Sequence, residues 1–308
     1  MGLRVIGGLS LVIGSMALGY ALKRLGWLTQ PRATRLVRFI VVVTAPLVAC
    51  LSVWHIELRR PEPWLLPLLG GLISASTLLP ARWYAARAGF SRPQTGSFLT
   101  CSFFSNVGYF GALTAFALFG EHGYALCVLY FLFFTPCFYT LGFWLASHYG
   151  RRGPAPKGTA FNAALGVVPL LGVALGAALS LAGVPRPAPL GQFNHLFIPV
   201  DTGLYLLAIG SQLTLESPRP HWRPCTALSL IKFLYTPTVA WLLLAAFRLE
   251  GLPRLIVLIE ASTPVAVSPL IFPLLFGLDR SLTNALWLFT TLVAVAWFIL
   301  LIPALPLL

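Results

Sequence analysis

Ser105, Asn106, Gly108 and Gly111 interrupt an otherwise apolar run, FFSNVGYFGALTAFALFG over residues 103–120. An amide and a hydroxyl offer donors and acceptors, and glycines allow backbone that other residues resist. At a distance of 157 residues stands a second such stretch, IEASTPVAVSPLIFPLLFG over 259–277, where Ser262 matches Ser105, Thr263 matches Asn106 and Ser268 matches Gly111. Pro264, Pro269 and Pro273 lack an N–H, so the carbonyls of Glu260, Val265 and Pro269 lose their helical donors. Such backbone is tolerated at membrane depth only where protein, water or an ion satisfies it. Half-helix N-termini there present N–H groups and positive dipole ends, suited to a carboxylate or another anion. The substrate-binding candidates are therefore Asn106, Gly108, Gly111, Ser262, Thr263, Pro264 and Ser268. Each of these residues singly has an ordinary packing explanation, because small residues let membrane helices approach closely. The paired breaks at one offset favour a transport site.

Ionisable residues inside apolar runs form a second set: Asp201, Lys232, Glu260 and, nearer a surface, His195. A charged Asp or Lys at a helix centre costs about 2.5 to 3.5 kcal/mol on insertion scales, so each is a functional candidate by default. Glu260 lies one turn before Pro264. Lys232 serves either to attract a carboxylate or to neutralise Glu260 or Asp201, and Asp201 is either a proton site or a paired structural charge. The candidates for ion coupling are Glu260, Ser105, Asn106, Asp201 and Lys232.

The elements that must position these groups follow from composition. The 308 residues are 58% hydrophobic and only 9% charged, more apolar material than one soluble core buries. Runs of about 20 apolar residues recur, each able to cross about 30 Å of hydrocarbon as a helix. The expected spans are 3–22, 36–54, 64–86, 95–119, 123–147, 161–182, 194–215, 225–246, 253–276 and 282–303. The net charge of +13 reports topology, not nucleic acid. Fourteen of the 21 Lys and Arg fall on one set of connections, among them Arg24, Arg87, Arg151, Arg152 and Lys157, which makes that face cytoplasmic and both termini external. The five cysteines read as apolar fillers, and no CxxC, HExxH or His-rich cluster suggests a metal or an enzyme.

The 157-residue offset extends beyond the two polar stretches. LGYALKRLG (18–26) falls on LGAALSLAG (175–183), Pro67 on Pro224, Pro80 on Pro237, and LFG at 118–120 on LFG at 275–277. Repeat one is thus 1–157 and repeat two 158–308 within a single transmembrane domain. Five helices per repeat is an odd number, so the second copy enters from the opposite side and the repeats are inverted. The expected fold is all-α, with ten transmembrane helices of which helices 4 and 9 are broken.

NVGYFG followed by ALFGEHG resembles the fourth helix of the auxin efflux carrier family, which includes bacterial permeases and plant PIN carriers. STPVAV followed by FGLD resembles its ninth helix, and LKRLGWLTQPRATRLVRFIVVVTAPLV (22–48) its first loop and second helix. Leu113 replaces a proline common in the family's fourth helix, and Ser or Thr replaces an Asn of some ninth helices. The short HYGRRGPAPKGTA segment leaves no room for the long loop of many plant carriers. The resemblance implies broken helices 4 and 9 crossing at the substrate site, scaffold helices over 3–54 and 161–215 and moving helices over 64–147 and 225–303. It implies a multi-pass inner-membrane carrier for a small organic anion, such as a mono- or dicarboxylate or an auxin-like acid. The setting of Glu260 is similar to the ninth helix of bile acid sodium symporters, where Ser105, Asn106 and Glu260 would surround sodium. Sodium, a proton or no coupling ion all stay open. So do a receptor or sensor role and a homodimer. The partners implied are the organic anion and the lipid bilayer, with no other cofactor.

Overall fold

The computed structural model describes residues 2–150, 159–211 and 219–304. Arg151, Arg152 and Lys157 of the basic face, and residues 212–215 of the seventh expected span, lie outside the described residues. The described elements are helical: α1 (Gly2–Arg24), α2 (Gln30–Phe39), α3 (Ala45–Trp54), α4 (Glu62–Ser76), α5 (Leu78–Arg87) and α6 (Arg92–Phe103). They continue with α7 (Ala112–Tyr130), α8 (Phe134–Cys137), α9 (Phe143–Tyr149), α10 (Thr159–Leu181) and α11 (Ala188–Gly210). The last are α12 (Trp222–Leu230), α13 (Thr236–Phe247), α14 (Gly251–Ala261), α15 (Phe272–Phe276) and α16 (Arg280–Ala304).

Among the described residues five helical runs are long and apolar enough to cross a membrane: Gln30–Trp54, Glu62–Arg87, Val107–Tyr149, Arg219–Phe247 and Arg280–Leu300. Val167–Leu181 is a shorter apolar helix. Two features account for part of the difference from ten spans. The 12 residues of α6 extend only about 18 Å, and α14 is shorter still, so neither crosses alone. The expected fourth and fifth spans also run together within Val107–Tyr149, where the chain leaves helical geometry at Gly120 (φ 65°, ψ −154°).

The chain forms two compact units. Unit 1 holds residues 1–65, 108–132 and 160–213. Within it, Ser15 lies beside Gly203, and a β-carbon on Gly19 would collide with the Leu207 carbonyl, so α1 and α11 advance in step. The same steps of four recur between α3 and α10, where β-carbons on Gly172 and Gly176 would meet the carbonyls of Pro46 and Cys50. Glycine is needed at these positions because the neighbouring backbone occupies the space of a side chain. A π-helical turn, Ile40–Thr44, joins α2 to α3 just before Pro46.

Unit 2 holds residues 66–107, 133–159 and 214–308. Its helix α6 starts with a capping box: Gln94 Oε1 accepts from the Ser91 N–H at 3.1 Å and Ser91 Oγ accepts from the Gln94 N–H at 3.5 Å. At the other end of α6, Phe104 is extended (φ −87°, ψ 109°). An aromatic cluster surrounds that point. Phe104 lies 5.5 Å from Phe138, and Phe138 stacks on Phe272 at 5.0 Å. Gly142 lets the rings close in, since a β-carbon there would stand 2.9 Å from Phe272.

Candidate functional site

Two non-helical segments meet inside unit 2. The Asn106 N–H donates to the Pro264 carbonyl at 2.7 Å, and the Ala266 N–H donates to the Phe104 carbonyl at 2.9 Å. Ser105 and Val265 are thereby opposed as a single antiparallel pair. Bonds on both flanks of the pair, and none within it, bring the two side chains to the same side and close together. This arrangement accounts for backbone that helices α6 and α14 leave behind. The Val265 N–H donates to Thr290 Oγ1 at 3.2 Å, adding a partner from α16.

The proline-freed carbonyl of Glu260 is satisfied locally. Thr263 Oγ1 donates to it at 2.8 Å and the Thr263 N–H at 3.3 Å. The Ser262 hydroxyl likewise turns back to the Leu258 carbonyl at 2.8 Å. Both hydroxyls thus finish α14. Ser268 opens a short 3-10 turn, Ser268–Ile271, and its buried hydroxyl has no hydrogen-bond partner among the described residues. Glu260 itself is buried at 1% exposure.

Lys232 is fully buried, on a π-helical turn, Ile231–Tyr235, between α12 and α13. Its ammonium donates to the Ser102 carbonyl at 2.5 Å and to Ser105 Oγ at 2.7 Å. The first bond caps the carbonyl end of α6, where the helix dipole also favours a cation. The second places positive charge on the hydroxyl at the crossing. Both partners are neutral oxygens, so the hydrogen bonds solvate the charge without cancelling it.

The remaining sequence candidates lie in unit 1. Gly108 and Gly111 belong to a π-helical turn, Val107–Gly111, that leads into α7, and Gly111 has ordinary helical dihedrals (φ −65°, ψ −53°). Neither glycine uses the left-handed freedom expected of it; in this stretch Gly120 does. The reason is that the interruption at 104–106 is held by strand-like pairing, which any residue can adopt. Asp201, on α11, is 4% exposed and accepts a hydrogen bond from Thr44 Oγ1. Tyr205, one turn further, stacks on Tyr109 with centroids 3.8 Å apart and planes 10° apart.

A polar cluster near Gly120 was not singled out in the sequence. Glu121 is gripped by Arg186 through both carboxylate oxygens and by the Asn194 amide, which also donates to Ser52 Oγ at 2.9 Å. It lines a cavity of about 640 Å³ with His55, Gln192 and His195. The available signal was a lone acidic residue directly after a glycine in ALFGEHG, with its partner arginine 65 residues away. Among the described residues no cluster of His, Cys, Asp and Glu has the makings of a metal site.

Comparison with known proteins agrees with a membrane-transport reading. Residues 167–302 match the membrane transport protein family. A relative from Methanothermobacter thermautotrophicus, named an uncharacterized transporter, is 24% identical over 287 residues, which span 92% of each chain. The matched residues 167–302, which include the second interrupted stretch, are thus similar to the membrane transport protein family.

Proposed function

We propose that this multi-pass membrane protein is a secondary-active carrier for a small organic anion, bound at the crossing of residues 104–106 and 264–266. The observation that carries the reading is the Lys232 ammonium, buried beside that crossing with two neutral oxygens as its hydrogen-bond partners among the described residues. A desolvated cation next to unwound backbone attracts a carboxylate far more strongly than an exposed one does. Asn106, Ser262, Thr263, Pro264 and Ser268 border the crossing, while Gly108 and Gly111 serve the chain that follows it. The ammonium already brings positive charge to Ser105, which disfavours sodium at Ser105, Asn106 and Glu260 and favours a proton bound away from the crossing as coupling ion.

Pairings within the units support the inverted ten-helix reading. The 157-residue offset, applied with the two partners exchanged, turns the Ser15–Gly203 approach into Pro46–Gly172 and the Gly19–Leu207 approach into Cys50–Gly176. Thr44 and Asp201 are themselves 157 residues apart and touch. Equivalent residues of two copies touch where a two-fold axis passes between them, and for inverted repeats that axis lies in the membrane plane. The location read here is the inner membrane, with external termini following from the basic loops.

The test is uptake of radiolabelled malonate and indole-3-acetate into proteoliposomes. Lys232→Met lowers uptake of whichever anion the wild type carries by about a hundredfold, on the scale of a desolvated charge pair lost. Lys232→Met with wild-type uptake rules the site out.

A further inference from the structure

The structure places a second buried charge where no helix is broken, and its bonding differs in kind from that of Lys232. Asp201 sits within α11, two residues after Pro199, and receives the Thr44 hydroxyl from the π-helical turn Ile40–Thr44. Thr44 has one hydroxyl proton and two acceptors in reach, Asp201 Oδ1 and the Ile40 carbonyl at 3.2 Å. With the carboxylate ionised, that proton points to Oδ1, and the Ile40 carbonyl keeps the Ala45 N–H of the turn. With the carboxyl protonated, its O–H donates to Thr44 Oγ1, and the Thr44 proton turns to Ile40. Thr44 is fully bonded in both states, so a proton binds or leaves here without orphaning a buried group.

We infer that Asp201 is a proton-binding site of the carrier, with Thr44 as the hydroxyl that switches partners when the proton arrives. One carboxylate and one hydroxyl fall well short of the six or more oxygens that a hard metal cation gathers, whereas a proton needs only these two. On the inverted-repeat reading the pair lies on the two-fold axis and therefore at mid-depth, where a permanent charge is most costly and a carboxyl that can be neutralised is favoured over one that cannot.

The surroundings are compatible with titration. From the elements packed against α11, Tyr109 and Tyr124 lie within the electrostatic field of Asp201, and α1 offers the Ser15 hydroxyl beside Gly203. Glu121 is held by Arg186 and Asn194, seven residues or about 10 Å earlier along α11. His55 and His122 face each other, His195 packs on Phe116, and Arg32, Arg35 and Arg38 of α2 are exposed. Tyr205 follows Asp201 by one turn and stacks on Tyr109, which belongs to the turn directly after the crossing segment.

This inference rests on the carrier reading for its purpose but not for its test. Infrared difference spectra of the protein in lipid, recorded through a pH titration, report the protonated-carboxyl stretch directly. The wild type loses such a band as pH rises. Asp201→Asn lacks it, and Thr44→Val moves its midpoint because the ionised form loses its donor. Identical titrations in wild type and Asp201→Asn overturn the proposal. In proteoliposomes loaded with a pH-sensitive dye, Asp201→Asn still exchanges malonate across the membrane but takes up protons about tenfold more slowly on a malonate pulse, within the usual range of coupling between two sites. Undiminished proton uptake by this variant overturns the coupling role. The infrared experiment needs no transported solute, so absence of malonate uptake by the wild type counts against the carrier alone.

Discussion

Lys232 and Asp201 are both buried, and each is bonded to a hydroxyl from another stretch of chain, yet they solve different problems. Lys232 stands at a helix end in unit 2, where it caps the Ser102 carbonyl and touches Ser105. Asp201 stands inside a continuous helix in unit 1, where no main-chain group among the described residues depends on it. A cation at a broken helix is therefore part of the architecture as well as the chemistry. An acid on an intact helix does nothing that a neutral amide of the same shape would not do, except change charge. Function and folding are entangled at the first and separable at the second.

Stability measurements in detergent test this comparison, with the Glu121 cluster as the upper reference. Glu121→Ala leaves the Arg186 guanidinium, at 10% exposure, without its partner, and costs about 3 to 5 kcal/mol by thermal or denaturant unfolding. Lys232→Met comes next, at about 1 to 3 kcal/mol, because it removes a donor from a buried carbonyl. If Lys232→Met is as stable as the wild type, the capping role is wrong. Asp201→Asn changes stability by less than about 1 kcal/mol, since the amide donates to Thr44 as the protonated acid does. A larger loss would make Asp201 a structural charge like the other. The smallest effect is on transport by Ser262→Ala: its hydroxyl bonds back to Leu258, so uptake stays within about twofold of the wild type. Abolished uptake would show that the hydroxyl leaves its helix to meet the anion.

Much of the interruption in the two stretches was legible in the residues. Proline chemistry alone marked 264–273 as unable to hold a regular helix, and the polar pair Ser105–Asn106 marked the matching stretch. What misled was the assumption that glycine makes the break. Gly108 and Gly111 mark the resumption of helical structure, whereas the interruption at 104–106 rests on bonds to Pro264 and from Ala266, partners that are distant in sequence. Equally, Ser262 and Thr263 carry the right hydroxyls for a ligand, but freed carbonyls within their own helix lie closer than any solute. Glu121 escaped notice because an acid beside a glycine in a connection looks like ordinary solvated surface until Arg186 and Asn194 are folded onto it.

The sequence by itself determined that the chain is a helical membrane protein and where its helices must fail, because apolar length and missing N–H groups are local properties. Only the tertiary structure decided who satisfies each freed or buried group: Pro264 with Asn106, Ser105 with Lys232, Asp201 with Thr44. A polar group in hydrocarbon must find a partner, but its identity depends on which distant segment the packing brings within about 3 Å.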